Sequence, residues 1–249
     1  MTTNIPQQQA DASLEQAKSR IQAADIPTSI LLQQQIDALL AQAKGQVPAD
    51  LLKDLLSPID QLIASDAAEK ALKEGAQVPD FTLPDALGNA VTLSHLLRQG
   101  PVVLSFYRGE WCPYCNLELR AYQRALPQLQ ELGASLVAIS PQTPDHSLST
   151  VEKQQLTFAV LSDVDNEVAR KFGLVFTIEE AVRAPHRRIG ANLPAFNGND
   201  SWELPMPGTF LVDQWGAIRL AFVDPDFKHR LDPSVVIARI KELKDKSGD

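Results

Sequence analysis

An apolar run, Pro101-Val102-Val103-Leu104-Ser105-Phe106-Tyr107, gives way to Arg108-Gly109-Glu110 and then to Trp111-Cys112-Pro113-Tyr114-Cys115, which contains the chain's only two cysteines. The run reads as a buried strand, and the segment Asn116-Leu117-Glu118-Leu119-Arg120-Ala121-Tyr122 as a helix. Two residues between the sulfurs amount to about one helical turn, which puts both side chains on one face. That spacing is compatible with the Cα separation of a strain-free disulfide, about 4.4–6.8 Å. The pair can therefore open and close without unfolding the chain. Strand, tight turn and Cys-x-x-Cys at a helix start form the context of a redox motif.

Around this unit, strands and helices alternate. Strands are expected at 78–83, 135–140, 158–162, 209–213 and 217–223, and helices at 145–155, 166–172 and Pro233 to Lys246. Gln214-Trp215-Gly216 marks a hairpin. Residues 87–93 turn back on the first strand, with Ser94 as a candidate cap for a short helix. The stretch from Thr177 to Pro205, with its Pro, Gly and Asn, reads as a long loop with a helical turn. The pattern specifies an α/β fold with a mixed central sheet flanked by helices.

The first 80 residues contain no His or Cys and are rich in Ala, Gln and Leu, good helix formers. One helix is expected through Leu14, Ala17, Ile21 and Ala24, broken at Asp25-Ile26-Pro27-Thr28. A second runs from Ile30 to Gly45, and a third starts at Pro48, a first-turn proline. Residues 1–74 are thus expected to be an all-helical extension and 75–249 the catalytic domain. The extension's apolar stripes need burial, either as a cap on that domain or as a homodimer element.

The formal charge of −8 argues against a nucleic-acid partner, which needs clustered Lys and Arg. The N-terminus lacks a signal-peptide layout, and no apolar run approaches the ~20 residues of a membrane span. The expectation is a cytoplasmic protein in a reducing compartment, where a vicinal thiol pair is more often catalytic than structural. A zinc site would need a second ligand pair, and His95, His146, His186 and His229 show no ligand spacing. A Cys-His hydrolase would need a positioned histidine, and none can be nominated. The basic cluster Arg183, His186, Arg187 and Arg188 reads as a solvated face. Trp202 and Trp215 read as packing residues.

Residues 75–245 resemble the peroxiredoxin (alkyl hydroperoxide reductase/thiol-specific antioxidant) branch of the thioredoxin-fold superfamily. Gln77-Val78-Pro79-Asp80-Phe81, Phe106-Tyr107 with the cysteines, Val137-Ala138-Ile139-Ser140, Leu161-Ser162-Asp163 and Thr209-Phe210-Leu211-Val212-Asp213 follow the family order. The family motif Pro-x-x-x-Thr-x-x-Cys places its peroxide-attacking cysteine on Cys115, its threonine on Cys112 and its proline on Arg108. Glu118 fits the family helix. Pro207 stands where many peroxiredoxins carry an arginine and where thioredoxin-like reductases carry a cis-proline, so a cis Pro207 is expected.

The resemblance implies an antioxidant thiol peroxidase that cycles Cys112 and Cys115 between dithiol and disulfide, recycled by a thioredoxin-like donor, with no organic or metal cofactor. Two further readings stand beside it: a thiol–disulfide oxidoreductase in which Cys112 attacks first, and a redox-sensing interaction module. A helix N-terminus favours the thiolate. Arg108 is expected to add positive charge, Glu110 to oppose it, Trp111 to wall the site and Pro113 to fill the first helical position.

Overall fold

The computed structural model describes residues 26–247; the helix expected through Leu14 to Ala24 lies outside them. Its centre is β3 (Val102–Phe106), every residue of which is buried. Such a strand needs neighbours on both edges and cover on both faces. Strands β4 (Ser135–Ser140) and β5 (Ala159–Ser162) run parallel to it on one side. Strands β8 (Gly208–Val212) and β9 (Ile218–Val223) pair antiparallel on the other, giving the order β5-β4-β3-β8-β9. The two parallel steps require crossovers. These are helices α4 (Pro113–Glu131) and α5 (Pro144–Gln154).

The period of two along β3 divides the interior. Val103 joins Leu136, Ala138, Val160 and Leu211 in a core that also holds both cysteines and residues of α4 and of the C-terminal helix α9 (Pro233–Ser247). Val102, Leu104 and Phe106 face a second core with Val137, Ile139, Phe210 and Phe172. That face is covered by the hairpin β1 (Thr82–Pro84) and β2 (Ala90–Thr92) and by the short helices α3 (Leu93–Leu97) and α6 (Glu167–Lys171).

The N-terminal helices α1 (Leu32–Gln46) and α2 (Ala49–Ala64) pack on the first core, where Leu32, Ile36, Leu39 and Ile59 are buried. Polar ties fix α1 to the loop before α9. Asp232 accepts from the Leu32 N–H at 2.9 Å, and Gln33 accepts from the Arg230 N–H at 3.2 Å.

Several expectations are corrected. The stretch 177–205 is ordered rather than loop: strands β6 (Val175–Thr177) and β7 (Glu203–Pro205) pair antiparallel around helices α7 (Glu180–Arg188) and α8 (Leu193–Asn197). Its Pro and Gly density hides a small core of Ile178, Val182, Ala191, Leu193, Trp202 and Leu204 that holds these short elements. The first strand covers only its expected end, because Val78 spends its N–H on Gly216 of the β8–β9 turn. Thr92, not Ser94, starts α3, and the Ser94 N–H goes to the Asp80 carboxylate at 2.9 Å. Trp202 packs into that small core, and Trp215 stands 72% exposed at the tip of its hairpin.

Phe172 stacks on Phe106 at 4.9 Å and on Phe210 at 5.1 Å between ring centroids. Truncating it leaves a cavity beneath the central strand. Phe172→Ala is expected to cost about 3–5 kcal/mol in urea unfolding; a loss below 1 kcal/mol would mean that this face does not carry the sheet.

Candidate redox site

The turn from β3 into α4 sets the two sulfurs. Gly109 adopts φ +150°, and a Cβ there would meet the Trp111 indole and the Gln142 side chain at 2.5–2.9 Å. Glycine lets the backbone pass beneath Trp111 and turn back on itself, where the Cys112 N–H closes on the Gly109 carbonyl at 3.1 Å. Cys112 is the N-cap of α4 and Pro113 its first residue, as expected. Cys115 sits one turn on, and both side chains are fully buried and reduced.

Two buried arginines face the pair. Arg108 Nη2 lies 3.1 Å from Cys112 Sγ, its guanidinium held between Phe227, 3.7 Å from the ring centroid, and Trp111 at 5.1 Å. Arg230 Nη2 lies 3.5 Å from Cys115 Sγ, and its Nη1 is ion-paired with Glu118. The Glu110 carboxylate, expected to oppose Arg108, is engaged elsewhere by Lys153 at 3.2 Å and His146 at 3.5 Å.

These charges separate the two thiols. Burial alone raises the pKa of both. For Cys112 this is overcome by the hydrogen bond from the Cys115 thiol, by Arg108 and Arg230, and by the backbone N–H of Cys115, which together hold it well below the ordinary thiol value. For Cys115, burial is reinforced by the neighbouring Cys112 sulfur, which carries it well above that value despite Arg230 and Arg108. Burial also lifts Glu118 to about 7, with Cys115 adding to the shift and Arg230 opposing it. The surroundings therefore favour the thiolate on Cys112 and the thiol on Cys115.

Arg108, Trp111, Cys112, Pro113 and Cys115 converge as the sequence predicted. Pro207 is buried at the entrance to β8, but no peptide among the described residues is cis. The expected cis-proline is therefore corrected. The trans form is the cheaper one by about 0.5–1 kcal/mol, and the Met206 N–H is fixed to the Leu174 carbonyl at 2.8 Å as the chain runs on from β7. The sulfurs take their polar contacts from Arg108 and Arg230 instead. The basic cluster is corrected in part. His186 is buried, with Nδ1 donating to the Val182 carbonyl at 2.8 Å and its ring 6.3 Å from Trp111, while Arg183 and Arg187 lie over Trp202. Arg230 and Phe227 escaped the sequence reading because both lie in an ordinary loop more than 100 residues downstream, with no local signal.

Residues 75–221 match the AhpC/TSA family. The chain belongs to that family. A putative peroxiredoxin of Mycobacterium tuberculosis is 36% identical over 103 residues, which span 41% of this chain and 67% of that protein. Peroxiredoxin Bcp of Escherichia coli is 32% identical over 103 residues, 41% of this chain and 65% of its own length. The peroxidoxin BcpB crystal structure from M. tuberculosis superposes with a TM-score of 0.55 at 24% identity, covering 69% of this chain and 97% of the other, and shows the shared fold. This AhpC/TSA chain is thus a peroxiredoxin-like protein with a thioredoxin-type fold. Among its described residues no helix is long and apolar enough to cross a membrane.

Two outcomes test the electrostatics of this AhpC/TSA site. Thiolate absorbance near 240 nm should persist on acidification well below the ordinary thiol range and then fall in one step. Cys112→Ser should remove that step, and Arg108→Met should move it upward; an unmoved step would mean that Arg108 does not hold the charge. Glu118→Gln leaves Arg230 buried without its carboxylate and is expected to cost about 3–5 kcal/mol, whereas Glu118→Leu with Arg230→Met should recover most of the loss. Equal instability of single and double variants would show that the ion pair is not the cause.

Proposed function

We propose that the chain is a thiol peroxidase in which Cys112 attacks and Cys115 resolves. The observation that carries the order is the Arg108 guanidinium 3.1 Å from Cys112 Sγ, against Cys115 beside the Glu118 ion pair. The thiolate is the nucleophilic form of cysteine. Alignment with the family motif favours the opposite order, with attack by Cys115. Position in the motif does not charge a sulfur, whereas the surrounding groups do.

The Cys112 thiolate attacks the terminal oxygen of a hydroperoxide ROOH. An S–O bond forms, the O–O bond breaks, and RO⁻ leaves and takes up a solvent proton as ROH. Arg108 stabilises the charge passing from sulfur to the leaving oxygen. Cys115 then condenses with the Cys112 sulfenic acid; an S–S bond forms and water departs with the Cys115 proton. An external dithiol of the thioredoxin kind restores both thiols by exchange. The chain has no third cysteine, so any intramolecular disulfide joins these two.

The packing of α1 and α2 on the first core supports the reading of 1–74 as a cap on the 75–249 domain. The second functional reading, a thiol–disulfide oxidoreductase, is favoured by the same order of attack and by the Cys-x-x-Cys spacing.

The deciding measurement is single-turnover mixing of the reduced protein with hydrogen peroxide, followed by dimedone labelling and mass spectrometry. Cys115→Ser should react once and accumulate a sulfenic acid on Cys112, while Cys112→Ser should lose at least a hundredfold in rate. The reverse pattern would establish Cys115 as the attacker. Slow oxidation of the wild type, with rapid exchange against a protein disulfide, would replace the peroxidase by the oxidoreductase.

A further inference from the structure

Residues 108–112 belong to neither of the elements they join. The β3 ladder ends where the Tyr107 N–H meets the Ile139 carbonyl at 2.9 Å, and α4 begins at Pro113. Arg108 and Cys112 stand at the two ends of this link, with Glu110 at its middle. Gly109 beside it holds φ +150°, a conformation that glycine reaches without strain and does not lock. Beyond the Phe227 and Trp111 rings, the 3.1 Å contact between Arg108 and the Cys112 sulfur therefore depends on what fixes the peptide units around Glu110.

Two buried amide side chains fix them. Gln142, fully buried between β4 and α5, accepts from the Glu110 N–H at 2.5 Å. Its Nε2 donates to the Thr150 hydroxyl on α5 at 3.1 Å, so the amide is held at both ends. Asn116, near the start of α4 and also buried, donates from Nδ2 to the Glu110 carbonyl at 2.8 Å. The Asn116 Oδ1 is buried without a partner among the described residues. An unmatched buried acceptor is an arrangement folds rarely carry, so the bond that the other end of this amide makes to the turn stands out. Gln142 takes the N–H of Glu110 and Asn116 its C=O, which fixes the peptide planes on both sides of that residue.

We infer that Gln142 and Asn116 are positioning residues for the reaction at Cys112: their amides clamp the backbone of Glu110 and so hold the Arg108 guanidinium against the Cys112 sulfur. The inference rests on the peroxidase reading and adds two residues that act through the turn rather than on the reacting atoms. With the clamp released, Gly109 lets the turn swivel and Arg108 recedes. The thiolate then loses its nearest cation, and a smaller fraction of Cys112 is in the nucleophilic form at a given pH. The leaving oxygen of the peroxide loses the same charge stabilisation.

The test uses the reduced full-length protein as wild type, Gln142→Met, Asn116→Ala, Arg108→Met and the Gln142→Met/Arg108→Met double variant, with folding checked by thermal unfolding. Gln142→Met keeps the side chain's length without its acceptor. Asn116→Ala puts a good helix former into α4 and carries the test if Gln142→Met does not fold. Two quantities are read: the pH at which the thiolate absorbance falls, and the single-turnover rate with hydrogen peroxide. Each clamp variant should raise that pH by about one unit, and slow oxidation at least fivefold at the pH of the wild-type step. In the Arg108→Met background, Gln142→Met should shift the step no further, because the group through which it acts is gone.

A step that stays in place in the folded clamp variants, or one that Gln142→Met shifts equally with and without Arg108, overturns the inference. Phe172→Leu loosens the opposite core, and an equal shift there would report general loosening and overturn it as well. The absorbance step is read without peroxide, so it decides the clamp by itself. A wild type slow toward peroxide overturns the peroxidase reading, while a step raised by the clamp variants through Arg108 retains Gln142 and Asn116 as positioning residues of the thiolate.

Discussion

Two guanidinium groups, Arg108 and Arg230, sit almost wholly out of water within hydrogen-bonding range of two sulfurs. A buried cation without a counter-charge is among the costliest arrangements a fold can contain. The Glu118 carboxylate faces Arg230, and a thiolate on Cys112 is the counter-charge within reach of Arg108. Ionisation of Cys112 thus offsets part of the cost of burying Arg108. Burial and the neighbouring Cys112 sulfur favour the protonated form of Cys115.

The architecture that meets this condition draws on distant parts of the chain. Arg108 leaves the end of β3, Cys112 and Glu118 ride on α4, and Arg230 comes from the loop before α9. That loop is in turn gripped by α1 through Gln33 and Asp232. The N-terminal helices therefore do more than cover apolar surface, since they brace the segment that places a charge beside the dithiol. Phe227 in the same loop stacks on Arg108, so one short segment positions both cations.

The alternating strands and helices, the hairpin and the Cys-x-x-Cys at a helix start were all legible, because each is written in local periodicity or spacing. So was Arg108, four residues from Cys112. The Arg230–Glu118 contact was not, since its partners are 112 residues apart and neither neighbourhood is unusual. The stretch 177–205 misled because Pro185, Pro194 and Gly198 signal breaks, while the apolar residues that order it gather only in three dimensions. Pro207 misled in another way: its position in the chain, where thioredoxin-like reductases carry a cis-proline, suggested their geometry, but here two arginines contact the sulfurs.

The counter-charge that Cys112 offers Arg108 exists only in the reduced protein. A disulfide carries no charge, so oxidation would leave Arg108 without an anion at that sulfur. Anything that stabilises the reduced form of a dithiol raises its reduction potential, and every ~30 mV corresponds to about 1.4 kcal/mol for a two-electron couple. The arginine that favours the thiolate therefore also shifts the couple toward the dithiol.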